Sequence, residues 1–161
     1  GNARTRARDA RRVSDLNNVS LALEVYLDTT NSATYPPAVT GNPPTTVGFA
    51  TINTSLAAAN VVQGQIRDPL DNGVAIENLY RGQTNILNAN ATTVGADTSY
   101  LLSADLETTS TASCGSDYDG PDIGLAAIPA TNNCAETVDR DCNGDDTQEM
   151  DYCICNGPAC Q

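Results

Sequence analysis

The chain has 161 residues, enough for one domain, and a formal net charge of −12 with no Lys and no His. The charge is uneven: residues 1–12 hold five Arg and one Asp, whereas the remainder holds three Arg and nineteen acids. An acidic body of this size repels nucleic acid and anionic membrane surfaces, so neither is an expected partner. One Phe, one Met and no Trp predict a modest core of small and aliphatic residues.

The first predicted element is a long amphipathic helix over residues 4–27, within a stem that we assign to residues 1–29. Its apolar side chains recur every three or four positions, the spacing of one helical face, at Val13, Leu16, Val19, Leu23, Tyr26 and Leu27. Neither Gly nor Pro interrupts the stretch. Because such a helix cannot bury its apolar face alone, we expect it to pack on another element.

The first turns of this helix are strongly basic. They carry five arginines, opposed only by Asp9: Arg4, Arg6, Arg8, Arg11 and Arg12. Like charges at the positive end of the helix dipole oppose helix formation. We therefore interpret the helix as the lower half of a longer one that begins upstream; phosphate binding is the alternative use of the arginines. Arg11 lies one turn before Asp15 and is predicted to pair with it.

Residues 30–107 are predicted to form a loop, a short helix and a small sheet. A loop rich in Pro, Gly and Thr covers residues 38–48. A helix is predicted over residues 55–66, capped by Thr54 or Ser55 and with Leu56, Val61 and Val62 toward the core; Gly64 leaves the position of its end open. Asp68-Pro69 then begins a turn.

Two strands follow the turn in the sequence. The segment 75–81 alternates partially between apolar and polar residues, and the segment 99–106 alternates better. The link between them has room for another short strand near residues 85–87. The two longer strands pair antiparallel most simply, with their apolar side on the stem helix.

Residues 108–161 form a Cys-rich acidic tail that we predict to be irregular, with one short strand near residues 124–128. All six cysteines lie here: Cys114, Cys134, Cys142, Cys153, Cys155 and Cys160. An even count in a segment poor in aromatic residues predicts three disulfides and an oxidising compartment. A zinc cluster is the alternative, but the CxxC pairs that zinc sites favour are absent. Six cysteines allow fifteen pairings, and their spacing does not choose among them. Since no signal peptide or transmembrane run is present, we expect a targeting segment upstream of Gly1.

One acidic loop of the tail has the spacing of a calcium site. Oxygen ligands stand at alternate positions, and Gly144 permits the sharp turn between them: Asp139, Asp141, Asn143 and Asp145. The last position, where a bidentate Glu is expected, is Met150, so Glu149 or Asp151 must replace it. We predict bound Ca²⁺ in an isolated loop; an acidic, solvated loop is the alternative. A second, weaker cluster, which turn formation explains at least as well, comprises Asp117, Asp119 and Asp122.

The residue types argue against an enzyme. Without His, a Ser–His or Cys–His arrangement is impossible, and without Lys there is no Schiff base. No nucleophile elbow, P-loop or dinucleotide-binding fingerprint appears. Carboxylates are plentiful, but nothing singles out a catalytic pair.

The opening stretch, NARTRARDARRVSDLNNVSLALEVYLDTTNSATYP, resembles the helix of bacterial type IV pilins and of the major pseudopilins of type II secretion. The resemblance rests on the ARDARRVSDL run, the LALEVYLD segment and the YP that ends it. It extends loosely over residues 66–107, through Asp68-Pro69 and SYLLSADLE, and does not cover the tail. It implies an α+β fold: a long N-terminal amphipathic helix packed on a small antiparallel β-sheet, followed by a disulfide-rich irregular C-terminal segment.

The resemblance also implies a structural subunit of a pilus filament at the cell surface. Members of the family carry a hydrophobic helical half, which would directly precede Asn2. It anchors the subunit in the inner membrane before assembly and forms the filament core afterwards. The expected partners are copies of the same chain in a helical filament and the assembly machinery. The five arginines would lie at the membrane-proximal end of the head and pair with acids of neighbouring subunits.

Two alternatives to a pilin remain open. One is a type II secretion pseudopilin, although such heads are usually shorter, lack disulfides and bind calcium in a loop after the last strands. The other is a secreted calcium-dependent adhesion module whose helix resembles pilins by accident. The upstream sequence separates them. A short basic leader followed by ~20 apolar residues supports the filament families, whereas a cleavable secretory signal supports the adhesion module.

Overall fold

A long helix lies against a small antiparallel sheet, which confirms the predicted α+β arrangement. The computed structural model describes residues 2–37, 45–71, 80–84, 86–87, 93–94, 97–108 and 150–160. The helices are α1 (Asn2–Thr30) and α2 (Thr46–Ala58). The strands are β1 (Arg81–Gln83), β2 (Ile86–Leu87), β3 (Thr93–Val94), β4 (Tyr100–Leu106) and β5 (Met150–Asn156), and a 3₁₀ turn follows at Pro158–Cys160. The main sheet has the order β1-β4-β5, and β2 pairs separately with β3.

Helix α1 packs through the predicted apolar face. Leu16, Val19 and Leu23 are fully buried, and Val13, Tyr26 and Leu27 are partly buried against the same core. With 29 residues at ~1.5 Å each, α1 is a rod of about 44 Å. The basic first turns are helical from Asn2 onward, so the clustered arginines do not prevent helix formation there.

Helix α1 ends at a residue that tolerates the left-handed conformation. Asn31 has φ 49°, and the N–H of Ser32 donates to the carbonyl of Leu27 at 3.1 Å. This bond closes the last turn in the manner of a Schellman motif. The chain then reaches Tyr35, which is buried against the ring of Tyr100 with centroids 4.9 Å apart.

Helix α2 begins well before the predicted short helix. Thr45, rather than Thr54 or Ser55, is the N-cap, and its hydroxyl accepts from the N–H of Gly48 at 2.9 Å. The helix ends before Asn60, whose φ of 57° stops it, so the expectation of helix through residue 66 is wrong. The run of Ala57 to Ala59 favours helix, but the left-handed Asn60 outweighs that preference.

A glycine lets α2 approach the sheet closely. A Cβ on Gly48 would lie 2.0 Å from the carbonyl oxygen of Gly82 in β1. The residue before the helix, Thr45, forms an antiparallel bridge with Gly82. Helix α2 is therefore held against β1 by backbone contact, and Ile52 and Phe49 pack over the Gly82 position.

Strand β4 is the centre of the sheet and confirms the better of the two strand predictions. Leu102 lies opposite Gly82 of β1 and Ile154 of β5, both antiparallel. Both faces of β4 are buried: Leu102 belongs to the core under α1, and Leu101 and Ser103, on the other face, are 1% and 0% exposed. The polar side chains Ser103 and Gln83 on that face have no hydrogen-bond partner in the described part of the molecule.

Strand β5 corrects the prediction of an irregular tail. Its seven residues pair with β4 along the whole strand, from Met150 opposite Leu106 to Asn156 opposite Tyr100. Buried Tyr152 extends the core across β5. The tail thus supplies a strand of the main sheet, because its last residues alternate in the way a strand requires.

The remaining strand predictions have mixed outcomes. Most of segment 75–81 lies outside the described residues, and the strand seen there is β1, Arg81–Gln83. The short strand expected near residues 85–87 is confirmed as β2. The strand near residues 124–128 lies outside the described residues.

Candidate functional site: the stem helix, its two polar clusters and its outer face

A buried ion cluster fixes the lower part of α1. We call Arg12 and its carboxylates Asp9, Asp68 and Glu107 the lower cluster. Arg12 is 0% exposed; its Nε and Nη2 donate to the two oxygens of Asp68 at 2.6 and 3.2 Å. Its Nη1 donates to Asp9 at 2.9 Å and to Glu107 at 2.7 Å. The guanidinium is therefore matched by carboxylates in geometry that charge-assisted bonds favour.

The carboxylates of the lower cluster also hold backbone. Asp9 accepts from the N–H groups of Glu107 and Thr108, both at 2.9 Å, and from the Thr108 hydroxyl at 2.7 Å. Asp68 accepts from the N–H of Leu70 at 2.8 Å, inside the predicted turn. The end of β4 and the Asp68 turn are thus tied to the same turn of α1.

Electrostatics keeps Arg12 and Glu107 of the lower cluster charged. Burial alone would lower the pKa of Arg12, but hydrogen bonds to Asp68 and Glu107 outweigh burial and raise that pKa above its ordinary value. Glu107 binds Arg8 as well. The hydrogen bonds from Arg8 lower the pKa of Glu107 to about 2, because their effect is larger than the opposing effect of desolvation.

Acid is expected to weaken the lower cluster through Glu107. Because the folded-state pKa lies below the ordinary 4.5, the stabilising contribution of Glu107 is present above pH ~4.5 and is lost as the pH falls toward about 2. We expect the melting temperature of the native chain to fall more steeply across this window than that of Glu107→Gln. Thermal unfolding followed by circular dichroism at each pH measures the difference, and parallel curves would contradict this assignment.

The lower cluster corrects the expectation that all five arginines pair with acids of neighbouring subunits. Arg12 is buried and its charge is opposed within its own chain, so it cannot contact a neighbouring subunit. Arg8 also pairs within the chain, with Glu107. Arg4, Arg6 and Arg11 are exposed, and for them contact with neighbouring subunits stays a prediction. The predicted pair of Arg11 and Asp15 is present at 3.5 Å.

A second polar cluster fixes the upper part of α1. We call Glu24, Tyr35, Tyr100 and Asn156 the upper cluster. One oxygen of Glu24 accepts from Tyr35 at 2.8 Å, from the amide of Asn156 at 2.9 Å and from Tyr100 at 3.4 Å. Burial, followed by contact with Glu24, raises the pKa of Tyr35, so this phenol stays protonated and donates. The upper cluster joins α1 to the start of β4 and the end of β5.

The outer face of α1 is uncovered along its length. Its residues recur at helical spacing and are all exposed: Ala3, Ala7, Ala10, Ser14, Asn18, Leu21 and Val25. Side chains are small over the first three turns, whereas Leu21 and Val25 are apolar and 65% and 42% exposed. The helix is therefore two-sided, with one face in the core and the other available for contact.

The predicted calcium ligands lie outside the described residues. This holds for Asp139, Asp141, Asn143 and Asp145 and for Asp117, Asp119 and Asp122. Within the described part of the chain, no three His, Cys, Asp or Glu side chains are arranged so that they could hold a metal ion. The calcium prediction from the sequence is therefore still to be tested in solution.

Chelation is the test of the calcium prediction. If Ca²⁺ binds the folded chain and not the unfolded chain, removing it with a chelator lowers the melting temperature by mass action. Asp141→Asn should reduce the loss on chelation, because it removes one charged ligand from the loop. A melting temperature that does not respond to the chelator at several protein concentrations would mean that the Asp139 loop is ordinary surface.

The cysteines of the last strand are disulfide-bonded. Cys155 and Cys160 form a bond across five residues, with Cα atoms 5.7 Å apart, and Cys153 is disulfide-bonded as well. Cys114, Cys134 and Cys142 lie outside the described residues. One of the predicted disulfides is thereby located, at the end of β5.

No protein-family model matches the chain, and no curated protein or solved structure matches it either. Neither described helix has an apolar stretch that would span a bilayer. The functional assignment therefore depends on the sequence resemblance and on the geometry of α1.

Sequence reasoning missed the lower cluster although a signal for it was present. Asp9 and Arg12 precede Leu16 and Val19 by three- and four-residue steps, so they continue the buried face of the helix. An arginine on a buried face requires buried anions. Asp68 and Glu107 are distant in sequence, and only the fold brings them to Arg12.

Proposed function

We propose that this chain is the head of a structural subunit of a bacterial type IV pilus, which assembles through a hydrophobic helical half upstream of Asn2. The observation that carries the proposal is that α1 has one buried face and one exposed face. Its inner face is buried on the sheet, while its outer face stays uncovered from Ala3 to Val25, a span of about 33 Å. A stem helix of this form fits the role that the pilin resemblance implies.

The outer face has the composition of a helix-packing surface. Single exposed apolar residues are common on soluble proteins and need no explanation. Leu21 and Val25, however, lie one turn apart on the same line as Ala3, Ala7 and Ala10. Small side chains allow another helix to approach closely, and apolar ones favour its burial. These features support packing of α1 against a copy of the same chain.

Charge supports the same arrangement. Arg4, Arg6 and Arg11 are exposed at the lower end of α1, whereas the rest of the chain is strongly acidic. Oppositely charged surfaces on one subunit favour head-to-tail association and set its register. We infer that these three arginines face acids of a neighbouring subunit.

The disulfide supports an extracytoplasmic location. Cys155–Cys160 closes a short loop at the end of β5, and such bonds persist in oxidising compartments. It also favours a pilin over a pseudopilin, since heads of the latter kind usually lack disulfides. We therefore propose that the assembled subunit lies at the cell surface.

The proposal is tested by adding a charge to the outer face. In the full-length gene, expressed with its assembly machinery, Leu21→Glu is expected to abolish surface filaments seen by electron microscopy. The isolated head should fold normally, because Leu21 is 65% exposed. Val47→Glu is the matched control, since Val47 is 60% exposed but lies on α2; its filaments should persist. Normal filaments with Leu21→Glu would contradict the proposal.

A further inference from the structure

The turn that leaves β5 contains an asparagine followed by glycine in close contact. Asn156 is exposed, and the N–H of Gly157 donates to the Asn156 side-chain oxygen at 2.8 Å. Gly157 has φ 101°, and a Cβ there would lie 2.4 Å from the carbonyl oxygen of Thr98. Only glycine fits this position, because a side chain would clash with Thr98 and Ser99 and because the positive φ is strained for other residues.

The other end of the Asn156 carboxamide is held by the upper cluster. Its Nδ2 donates to Glu24 at 2.9 Å and to the hydroxyl of Tyr100 at 3.4 Å. The oxygen of the amide is thus directed to Gly157 and its nitrogen to Glu24. The Asn156 carboxamide is thus fixed at both ends, with its oxygen bonded to the Gly157 nitrogen and its own nitrogen bonded to Glu24.

We propose that Asn156 is a self-modification site, at which the chain converts its own amide to a carboxylate. The Gly157 nitrogen releases the proton that it donates to Oδ1, a solvent base takes that proton, and the nitrogen then bonds to Cγ of Asn156. The bond from Cγ to Nδ2 breaks, and Nδ2 takes a proton from water and leaves as ammonia. The five-membered imide that results is then opened by water at either carbonyl, which yields aspartate or isoaspartate. No electrons are transferred, and water is the only co-reactant.

Glu24 makes this conversion structurally consequential. Before the reaction, the carboxylate of Glu24 accepts a hydrogen bond from Asn156; afterwards a second carboxylate occupies that place. Like charges at hydrogen-bond distance repel, and Glu24 also loses a donor. The product therefore weakens the upper cluster, which ties β5 to α1. This effect is independent of the pilus proposal, since it needs only the isolated head.

The first experiment measures the conversion itself. The full chain with intact disulfides is incubated at mildly alkaline pH beside the same chain reduced and unfolded in denaturant. Peptide mapping by mass spectrometry and isoaspartate labelling report the amide lost at Asn156. We expect the folded chain to convert at a rate equal to or above that of the unfolded chain, because the Gly157 nitrogen and the Asn156 carboxamide are already in contact. A slower folded-chain rate, or none, would overturn the proposal.

Two sets of controls accompany this measurement. Asn156→Gln should remove the reaction, because its longer side chain would have to close a larger ring. The chain has two other Asn-Gly pairs, Asn72-Gly73 and Asn143-Gly144. Their rate of amide loss in the unfolded sample is the reference for the same reaction at Asn156.

The second experiment measures the role of Glu24. Asn156→Asp mimics the direct product and should lower the melting temperature by about 2–4 °C, the shift that ~1 kcal/mol produces in a domain of this size. In a Glu24→Gln background, the same substitution should cause little or no loss. An equal loss in both backgrounds would show that Glu24 does not sense the new charge.

Discussion

Replacing Arg12 by methionine is expected to destabilise the folded chain by about 3–5 kcal/mol, the usual cost of removing one partner from a buried ion cluster. The side chains of Asp9 and Asp68 are 4% and 2% exposed, so both carboxylates would remain in the interior without their cation. Glu107 would keep its contact with Arg8, because that pair lies nearer the surface. A large part of the stability of a domain of this size would be lost.

Urea unfolding followed by circular dichroism measures this loss. Arg11→Met is the matched control, since its pair with Asp15 is at 3.5 Å and the Arg11 side chain is 60% exposed. Such a surface pair contributes about 0–1 kcal/mol. If the two variants unfold at the same urea concentration, the lower cluster does not stabilise the fold as described.

Leu23→Ala is expected to cost about 2–5 kcal/mol, whereas Leu21→Ala should cost less than about 0.5 kcal/mol. Leu23 is fully buried between α1 and the sheet, so truncation removes apolar contacts and leaves a cavity. Leu21 lies two residues earlier on the same helix but on the outer face, with most of its surface in water already. The pair thus compares the two faces of α1 with one chemical change.

The same unfolding experiment distinguishes these variants. Their m-values should match that of the native chain, because neither changes the overall surface exposed on unfolding. Equal stabilities for the two variants would mean that α1 does not lie on the sheet through its predicted face.

The parts of the fold that local patterns determine could be predicted. The face of α1 follows from three- and four-residue spacing, and β4 follows from alternation between Tyr100 and Leu106. The turn at Asp68 follows from Asp-Pro, which favours turn initiation. In each case the residues that carry the signal are neighbours in the sequence.

The elements that were misplaced depend on contacts distant in sequence. Helix α2 starts at Thr46 because Thr45 bridges to Gly82, which brings the cap into place against β1. Strand β5 forms because β4 offers it a partner across more than forty residues. Its cysteines suggested an irregular disulfide-bonded segment, although Cys153 and Cys155 alternate with Tyr152 and Ile154 as strand residues do.

Only part of the candidate site could be predicted, because its other contacts join residues that are distant in sequence. The amphipathic character of α1 was evident, and with it the presence of an outer face. The burial of Arg12 in an ion cluster depends on Asp68 and Glu107, which lie 56 and 95 residues away in the sequence. A basic residue in line with Leu16 and Val19 indicated a buried partner but not its identity.

The two polar clusters give α1 a fixed position at both ends of its buried face. The lower cluster ties Arg12 to the end of β4, and the upper cluster ties Glu24 to the start of β4 and the end of β5. The helix is thereby attached to the sheet at two places, while its outer face stays exposed.

Immunogold electron microscopy of cells that carry the full-length gene tests the central claim most directly. The label, an antibody raised against this head, should decorate the full length of surface filaments in the native strain. The same filaments should be absent when the gene is deleted and restored when it is returned. Label found only on soluble, unassembled protein, with filaments unaffected by the deletion, would contradict the assignment of this chain as a filament subunit.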